Sequence, residues 1–105
     1  MALPELTAEQ RQQALANATE ARRRRAEVKV ALKKREMSLP EVFELAEKDP
    51  AIAKMRAVDL LESLPRVGVH RAQLLMEEIG IAPSRRVRGL GRLQREQIIE
   101  RTRRS

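Results

Sequence analysis

The sequence contains no cysteine, tryptophan or tyrosine, and it has one histidine and one phenylalanine. Without cysteine, a disulfide scaffold, a thiolate zinc site, an iron–sulfur cluster and a cysteine nucleophile are excluded. One histidine cannot build a histidine-rich metal centre, so we expect neither a metal nor a cofactor. No apolar run approaches the roughly 20 residues of a membrane span, and the first residues lack the pattern of a secretory signal. We therefore expect a cytoplasmic protein that does not contact membranes.

The shortage of aromatic side chains also narrows what this basic chain binds. Its 105 residues include 22 Lys and Arg against 15 Asp and Glu, and the net charge of +7 favours a polyanionic partner. Modules that bind single strands stack bases on aromatic side chains, each worth roughly 1–3 kcal/mol. Phe43 alone cannot form such a platform. Duplex DNA or structured RNA, contacted through phosphates, fits the composition better.

The positive charge is concentrated in two regions. Residues 1–21 carry −2, residues 22–35 carry +7, residues 36–63 carry −4 and residues 64–105 carry +6. This division is typical of a molecule with a binding face, although any single charge run also fits a solvated surface. The first basic region is the candidate for a second basic surface beside the main site, made of Arg22, Arg23, Arg24, Arg25, Lys29, Lys33 and Lys34.

The residue pattern predicts an all-α fold, because there is no sustained alternation of apolar and polar residues. Residues 8–36 contain no Gly or Pro and many strong helix formers, with Thr7 and Gln10 as a capping box. Alanine makes up most of the apolar stripe in the first half of this helix and buries little area. We therefore expect the second half, with Val28 and Leu32, to dock while the first half projects as a frayed arm.

A small helical domain over 37–105 is predicted to follow this N-terminal helix or arm, which spans 1–36. Ser38 and Glu41 form a second capping box. Apolar spacing and Gly or Pro stops place the remaining helices at 38–49, 51–54, 57–64, 69–79, 83–88 and 92–103. The predicted core consists of Leu39, Val42, Phe43, Ala46, Met55, Val58, Leu60, Leu61, Leu64, Ala72, Leu75, Met76, Ile79, Leu93 and Ile98 or Ile99.

A tight turn between two predicted helices is the most informative stretch of the sequence. It reads Leu64-Pro65-Arg66-Val67-Gly68, and a helix begins at Val69. Glycine at the start of a helix lets a phosphate approach the backbone, where free N–H groups and the helix dipole favour an anion. The arrangement is typical of a helix-hairpin-helix phosphate clamp, and an ordinary αα-hairpin is the alternative. The candidate residues are Pro65, Arg66, Val67, Gly68, Val69, His70 and Arg71.

A cluster of arginines follows the hairpin. If residues 84–88 form one helical turn, Arg85 and Arg88 share a face, and Val87 and Leu90 anchor the turn. Arginine suits bidentate contact with phosphate and insertion into the minor groove. A solvated arginine cluster is the alternative. The candidate residues are Arg85, Arg86, Arg88 and Gly89.

The sequence resembles the actinobacterial integration host factors, which are small single-polypeptide nucleoid-associated proteins. The resemblance covers nearly the whole chain and is carried by MALPELTAEQR, ALANATEARRRRAEVK, LLESLPRVGVHRAQLLMEEIGI and RRVRGLG. It implies a long N-terminal helix on a helix-two-turns-helix domain that binds duplex DNA with little sequence preference and bends or compacts it. The family's phosphate-binding hairpin corresponds to 65–69 and its arginine cluster to Arg85, Arg86 and Arg88.

We therefore expect a non-enzymatic, monomeric architectural protein that binds double-stranded DNA, takes no small-molecule substrate and supports integration, recombination and chromosome organisation in the nucleoid. The hairpin also resembles a small-subunit ribosomal protein, so a ribosome-type RNA-binding protein is the alternative. A third possibility is a protein-interaction module that uses the acidic residues 36–63 or the N-terminal helix. An enzyme is disfavoured, because the acids near the hairpin, Glu77 and Glu78, lie most of a helix away from it.

Overall fold

A computed structural model describes residues 7–103 as an all-α protein, as the sequence predicts. A single 3₁₀ turn, Val87–Gly89, precedes the last helix, and within the described residues there is no strand. The helices are α1 (Ala8–Lys33), α2 (Leu39–Lys48), α3 (Pro50–Ala53), α4 (Ala57–Glu62), α5 (Val69–Ile79) and α6 (Arg92–Thr102). The predicted arm and domain also include residues 1–6, 104 and 105, which lie outside the described residues.

The long first helix begins where the sequence predicts, because Thr7 and Gln10 form the expected capping box. It ends at Lys33 and not at residue 36, since Arg35 takes a positive φ of 62° that turns the chain away from the helix. Residues 7–19 are exposed on all sides, so the first half projects. From Ala8 it is a continuous helix.

The core draws side chains from all six helices. Every predicted core residue is buried or half-buried except Leu93, which is 75% exposed. At 100° per residue, Leu93 lies about 140° around α6 from the buried Ile98, so the two cannot face the same core. The docked half of α1 contributes Val28 and Leu32, as predicted.

Local sequence signals explain most of the other helix ends. Ser38 and Glu41 cap α2 reciprocally, and the Asp49 side chain accepts a hydrogen bond from the Ala51 N–H at the start of α3. Gly80 ends α5 in the left-handed region at φ 83°, a conformation that other residues rarely adopt.

The segment after α5 differs from the prediction. Residues 84–88 do not form one helical turn, because Arg86 is extended at φ −97° and ψ 159°. Its neighbours pair with the chain between α3 and α4. The Ala57 N–H donates to the Arg85 carbonyl at 2.9 Å, and the Val87 N–H donates to the Met55 carbonyl at 2.8 Å. These two bonds fix residues 85–88, which we call the arginine segment, to the chain around residues 55–57.

Candidate nucleic-acid interface

The predicted phosphate clamp is built on the hairpin between α4 and α5. Arg66 takes a positive φ of 64° at its tip, which reverses the chain within a few residues. Val67 is 1% exposed and anchors the turn in the core. Gly68 then occupies the N-cap position, and its carbonyl accepts the first α-helical hydrogen bond of α5, from the Ala72 N–H. The inner side of the hairpin is therefore packed against the core, and its outer side is exposed.

The N-terminus of α5 is left open. Thr7, Ser38 and Asp49 cap α1, α2 and α3 with their side chains, whereas no side chain of the described residues caps α4, α5 or α6. Its first N–H groups have no helical partner, because an α-helix leaves those donors unpaired. Arg66, His70 and Arg71 are exposed and lie within three residues of Gly68 in the chain. An open helix N-terminus with basic residues next to it in the chain is typical of an anion-binding helix end.

The conformation of Gly68 does not require glycine. Its φ of −87° and ψ of −178° are extended backbone that any residue adopts. A Cβ built on Gly68 would have no atom of residues 7–103 within 4 Å, outside its chain neighbours and the helix backbone. Because Gly68 has no side chain, the space outside the hairpin stays open next to the N–H groups that begin α5.

One residue of the predicted second basic surface supports this hairpin. The Lys33 ammonium donates to the Glu62 carbonyl at 3.2 Å and to the Leu64 carbonyl at 3.0 Å. It therefore joins the end of α1 to the end of α4, at the base of the turn. We interpret Lys33 as a positioning residue, since two of its three donors are already used within the fold.

The arginine cluster lies on the arginine segment, and its three side chains differ in their surroundings. Arg86 donates to the Lys54 carbonyl at 2.7 Å, and Arg85 donates to the Gly89 carbonyl at 3.2 Å. Arg88 makes no hydrogen bond or ion pair within residues 7–103. The prediction that Arg85 and Arg88 share one helix face is wrong, because the backbone between them is extended before it turns.

Gly89 leaves room for the side chain of Arg85. A Cβ at this position would lie 2.9 Å from Cδ of Arg85, so any larger residue would displace that exposed side chain. The small residue lets the Arg85 side chain fold across the 3₁₀ turn and reach the Gly89 carbonyl. Val87 and Leu90 are buried on the other side, as predicted, so the turn is fixed from within.

The first basic region and the arginine cluster meet in one cleft. This cleft, which we call the basic cleft, has a volume of about 580 Å³ and is lined by six basic side chains together with Met55 and Asp59. The six are Arg25, Lys29, Lys54, Arg56, Arg86 and Arg88. The sequence-based interpretation missed Lys54 and Arg56, because both lie in the region whose net charge is negative. The available signal was their position at the break between the predicted helices 51–54 and 57–64.

Other bases of the predicted second surface are occupied within the fold. Arg23 pairs with Glu20 and Glu27 on α1, and Arg24 pairs with Glu20 and with Asp49, its Nη1 lying 3.3 Å from Asp49 Oδ1. The hydrogen bond from Arg23 lowers the pKa of Glu20, and Glu20 raises the pKa of Arg23 in return. These pairs compensate part of the positive charge of α1.

The remaining predicted bases of α1 divide into two kinds. Arg22 and Lys34 are exposed and have no side-chain partner in the described part of the chain. Arg25 donates to the Ala51 carbonyl at 3.4 Å and faces the basic cleft together with Lys29. The basic residues of α1 that were predicted as a second basic surface therefore do not form one uniform surface.

Two further features of residues 7–103 bear on the range of functions. No group of three His, Asp or Glu side chains comes together to hold a metal ion. None of the described helices is long and apolar enough to cross a membrane.

A helical hairpin with an open, glycine-capped second helix defines the class of fold, and residues 32–102 match the family described as the S13-like H2TH domain. The chain contains a helix-two-turns-helix domain. It also matches three relatives called integration host factor, and it belongs to that family. The relatives from Mycobacterium tuberculosis H37Rv and Mycolicibacterium smegmatis are each 51% identical over 100 residues, 95% of both chains. The relative from Streptomyces coelicolor is 56% identical over 91 residues, 87% of this chain and 85% of the relative.

A solved structure is similar in fold as well as sequence. It is described as sIHF bound to an 8-base-pair palindromic DNA, and it superposes with a TM-score of 0.80 at 47% identity. The match covers 83% of this chain and 98% of that chain. The similarity to the integration host factors, expected from the sequence, is thus confirmed in sequence and in structure.

Proposed function

We propose that this protein is a non-enzymatic architectural protein that binds duplex DNA, with little sequence preference, and bends or compacts it. The open N-terminus of α5, which a glycine caps and basic residues flank in the chain, is the observation that carries the proposal. The DNA in the similar solved structure supports it. The protein acts as a monomer in the nucleoid, where it supports integration, recombination and chromosome organisation.

The hairpin residues 65–71 hold one strand through its backbone. A phosphate lies against Gly68, where it accepts from the N–H groups that begin α5, while Arg66 and Arg71 add charge and His70 adds a ring N–H donor. Contacts of this kind go to the phosphate and carry no sequence information, which accounts for binding with little sequence preference.

The arginine cluster reaches the groove beside that strand. Arg88 is unpaired within the described residues and free to enter the minor groove, while Arg85 keeps its guanidinium beside Gly89. Arginine side chains are attracted by the negative potential of a narrow minor groove and favour deformed duplexes. Two contact regions on a rigid fold impose their spacing on the DNA, and the helical domain over 37–105 supplies both, with residues 1–36 as its arm.

A gel-shift comparison at matched salt tests this function. Duplex DNA, in linear and supercoiled forms, is expected to bind more tightly than single-stranded DNA or structured RNA. Affinity should fall with salt at a slope of about −0.9 per phosphate contact. Preference for structured RNA would instead support a ribosome-type RNA-binding protein.

A single substitution assigns the arginine contact. Arg88→Gln is expected to weaken duplex binding roughly tenfold, since a charge-assisted contact to DNA is worth about 1.5 kcal/mol or more. Arg103→Gln, on the last turn of the structure, is the matched control, because Arg103 pairs with Glu100 and lies outside the proposed interface. Equal losses in both variants would contradict a specific role for Arg88.

A further inference from the structure

The basic cleft holds two of its arginines in fixed positions. Arg25 donates to the Ala51 carbonyl at 3.4 Å, and Arg86 donates to the Lys54 carbonyl at 2.7 Å. Both acceptors lie on α3 or at its C-cap, so α1 and the arginine segment approach the same short helix from two sides. Each guanidinium has five N–H donors and uses only one of them in these bonds. The bond holds the guanidinium in place, and the other donors remain available for a ligand.

The other cations of the cleft have no counterion in the described part of the chain. The side chains of Lys29, Lys54 and Arg88 make no hydrogen bond or ion pair there. Asp59 is the acid among the lining residues, and Arg56 engages both of its oxygens, at 2.9 and 3.1 Å. Like charges gathered this closely repel one another, and an anion in the cleft relieves that repulsion.

The lining of the cleft indicates which anion it takes. None of its described lining residues is aromatic, and its one apolar side chain, Met55, is 1% exposed. A nucleobase would find no surface on which to stack. Phosphate oxygens, by contrast, match guanidinium and ammonium donors. The volume of about 580 Å³ is ample for a phosphate group.

We infer that the basic cleft is a phosphate-binding site in which Arg25, Arg86 and Lys54 hold one phosphate group between α1 and the arginine segment. If that phosphate belongs to the duplex bound at the hairpin, the inference rests on the proposed function. In that case α1 extends the contact with the same duplex and does not bind a second one. A free polyphosphate has the same chemistry and is the other source.

A pair of lysine substitutions tests the site. Lys54→Gln removes an ammonium at the C-cap of α3, and Lys48→Gln removes one from the last turn of α2. Both lysines are exposed and lack a side-chain partner within the described residues, so the variants match in charge and in expected stability. Fluorescence anisotropy with a labelled 20-base-pair duplex measures affinity from low to high salt. Lys54→Gln is expected to reduce the salt slope by about 1, and Lys48→Gln to leave it unchanged.

A second arm separates the two sources of phosphate. Inorganic tripolyphosphate is titrated into the wild-type protein and Lys54→Gln, and the backbone amide shifts of 54–56 and 85–88 are followed by NMR. A changed DNA slope supports a backbone phosphate, and tripolyphosphate shifts that weaken in Lys54→Gln support a free polyphosphate. If wild-type protein binds the duplex but neither readout responds to Lys54→Gln, the inference is wrong while the proposed function stands. If wild-type protein binds tripolyphosphate in the cleft but no duplex, the proposed function fails and the site stands.

Discussion

Replacing Gly68 with alanine separates binding from folding at the hairpin. The new methyl group meets no atom of residues 7–103 within 4 Å beyond its neighbours in the chain and helix, and the extended backbone of Gly68 suits alanine. Alanine at an N-cap is less favourable than glycine by up to about 1 kcal/mol. Its smaller unfolded-state entropy returns about 0.4–1 kcal/mol. The free energy of unfolding should therefore change by less than about 1 kcal/mol.

The loss in affinity follows from the contact that the methyl group obstructs. A phosphate at the start of α5 accepts from backbone N–H groups, and a hydrogen bond to a charged group is worth about 1.5–3 kcal/mol. Loss of one such bond weakens duplex binding about 10- to 150-fold at 25 °C. Fluorescence anisotropy with a labelled duplex gives the affinity, and thermal unfolding followed by circular dichroism gives the stability.

Gly91→Ala is the matched control. Gly91 also occupies an N-cap in extended conformation, at φ −71° and ψ 164°, and no side chain of the described residues caps α6. Gly91 lies outside the hairpin, and its own N–H donates to Gln94 Oε1. A Cβ on Gly91 would lie 3.8 Å from Gln94 Oε1, an ordinary contact. If Gly68→Ala binds as tightly as wild type, or both variants lose affinity equally, the hairpin is not the phosphate clamp.

Three further substitutions test the parts that support the interface. Gly89→Ala places a methyl group 2.9 Å from Arg85 Cδ; it should displace that side chain and weaken duplex binding severalfold in anisotropy, and unchanged affinity would show that Arg85 makes no contact. Val87→Ala should lower the free energy of unfolding by about 2 kcal/mol in urea titrations, whereas exposed Leu93→Ala should change it by less than about 0.5 kcal/mol; similar values would contradict the burial described. Lys33→Gln removes the bonds to the Glu62 and Leu64 carbonyls and should destabilise the fold by about 1 kcal/mol, with faster amide exchange in the hairpin; unaltered exchange would show that Lys33 does not position the turn.

Local signals in the sequence account for much of the fold. The bounds of α5 are as predicted, because Gly68 and Gly80 stand at its two ends and the apolar spacing between them is regular. The capping boxes at Thr7 and Ser38 likewise place the starts of α1 and α2. Each of these signals depends on residues a few positions apart, which a sequence displays directly.

The features that the sequence did not reveal depend on contacts between distant residues. The arginine segment is extended because residues 85–87 pair with residues 55–57, and no local pattern near Arg86 indicates that partner. The basic cleft depends on the same pairing, which brings Lys54 out of an acidic region and next to α1. The net charge of each sequence region placed Lys54 in an acidic region, although the fold brings it next to the basic residues of α1.

The backbone hydrogen bonds of Ala57 to Arg85 and of Val87 to Met55 also fix the conformation of the arginine segment before the protein meets DNA. Both donor residues are fully buried, so their amides should exchange with solvent only when the whole domain unfolds. The entropy of ordering this loop is consequently paid during folding and not on each encounter with DNA. Association should then need no loop closure, and its rate should be governed by diffusion and salt, with little dependence on loop rearrangement.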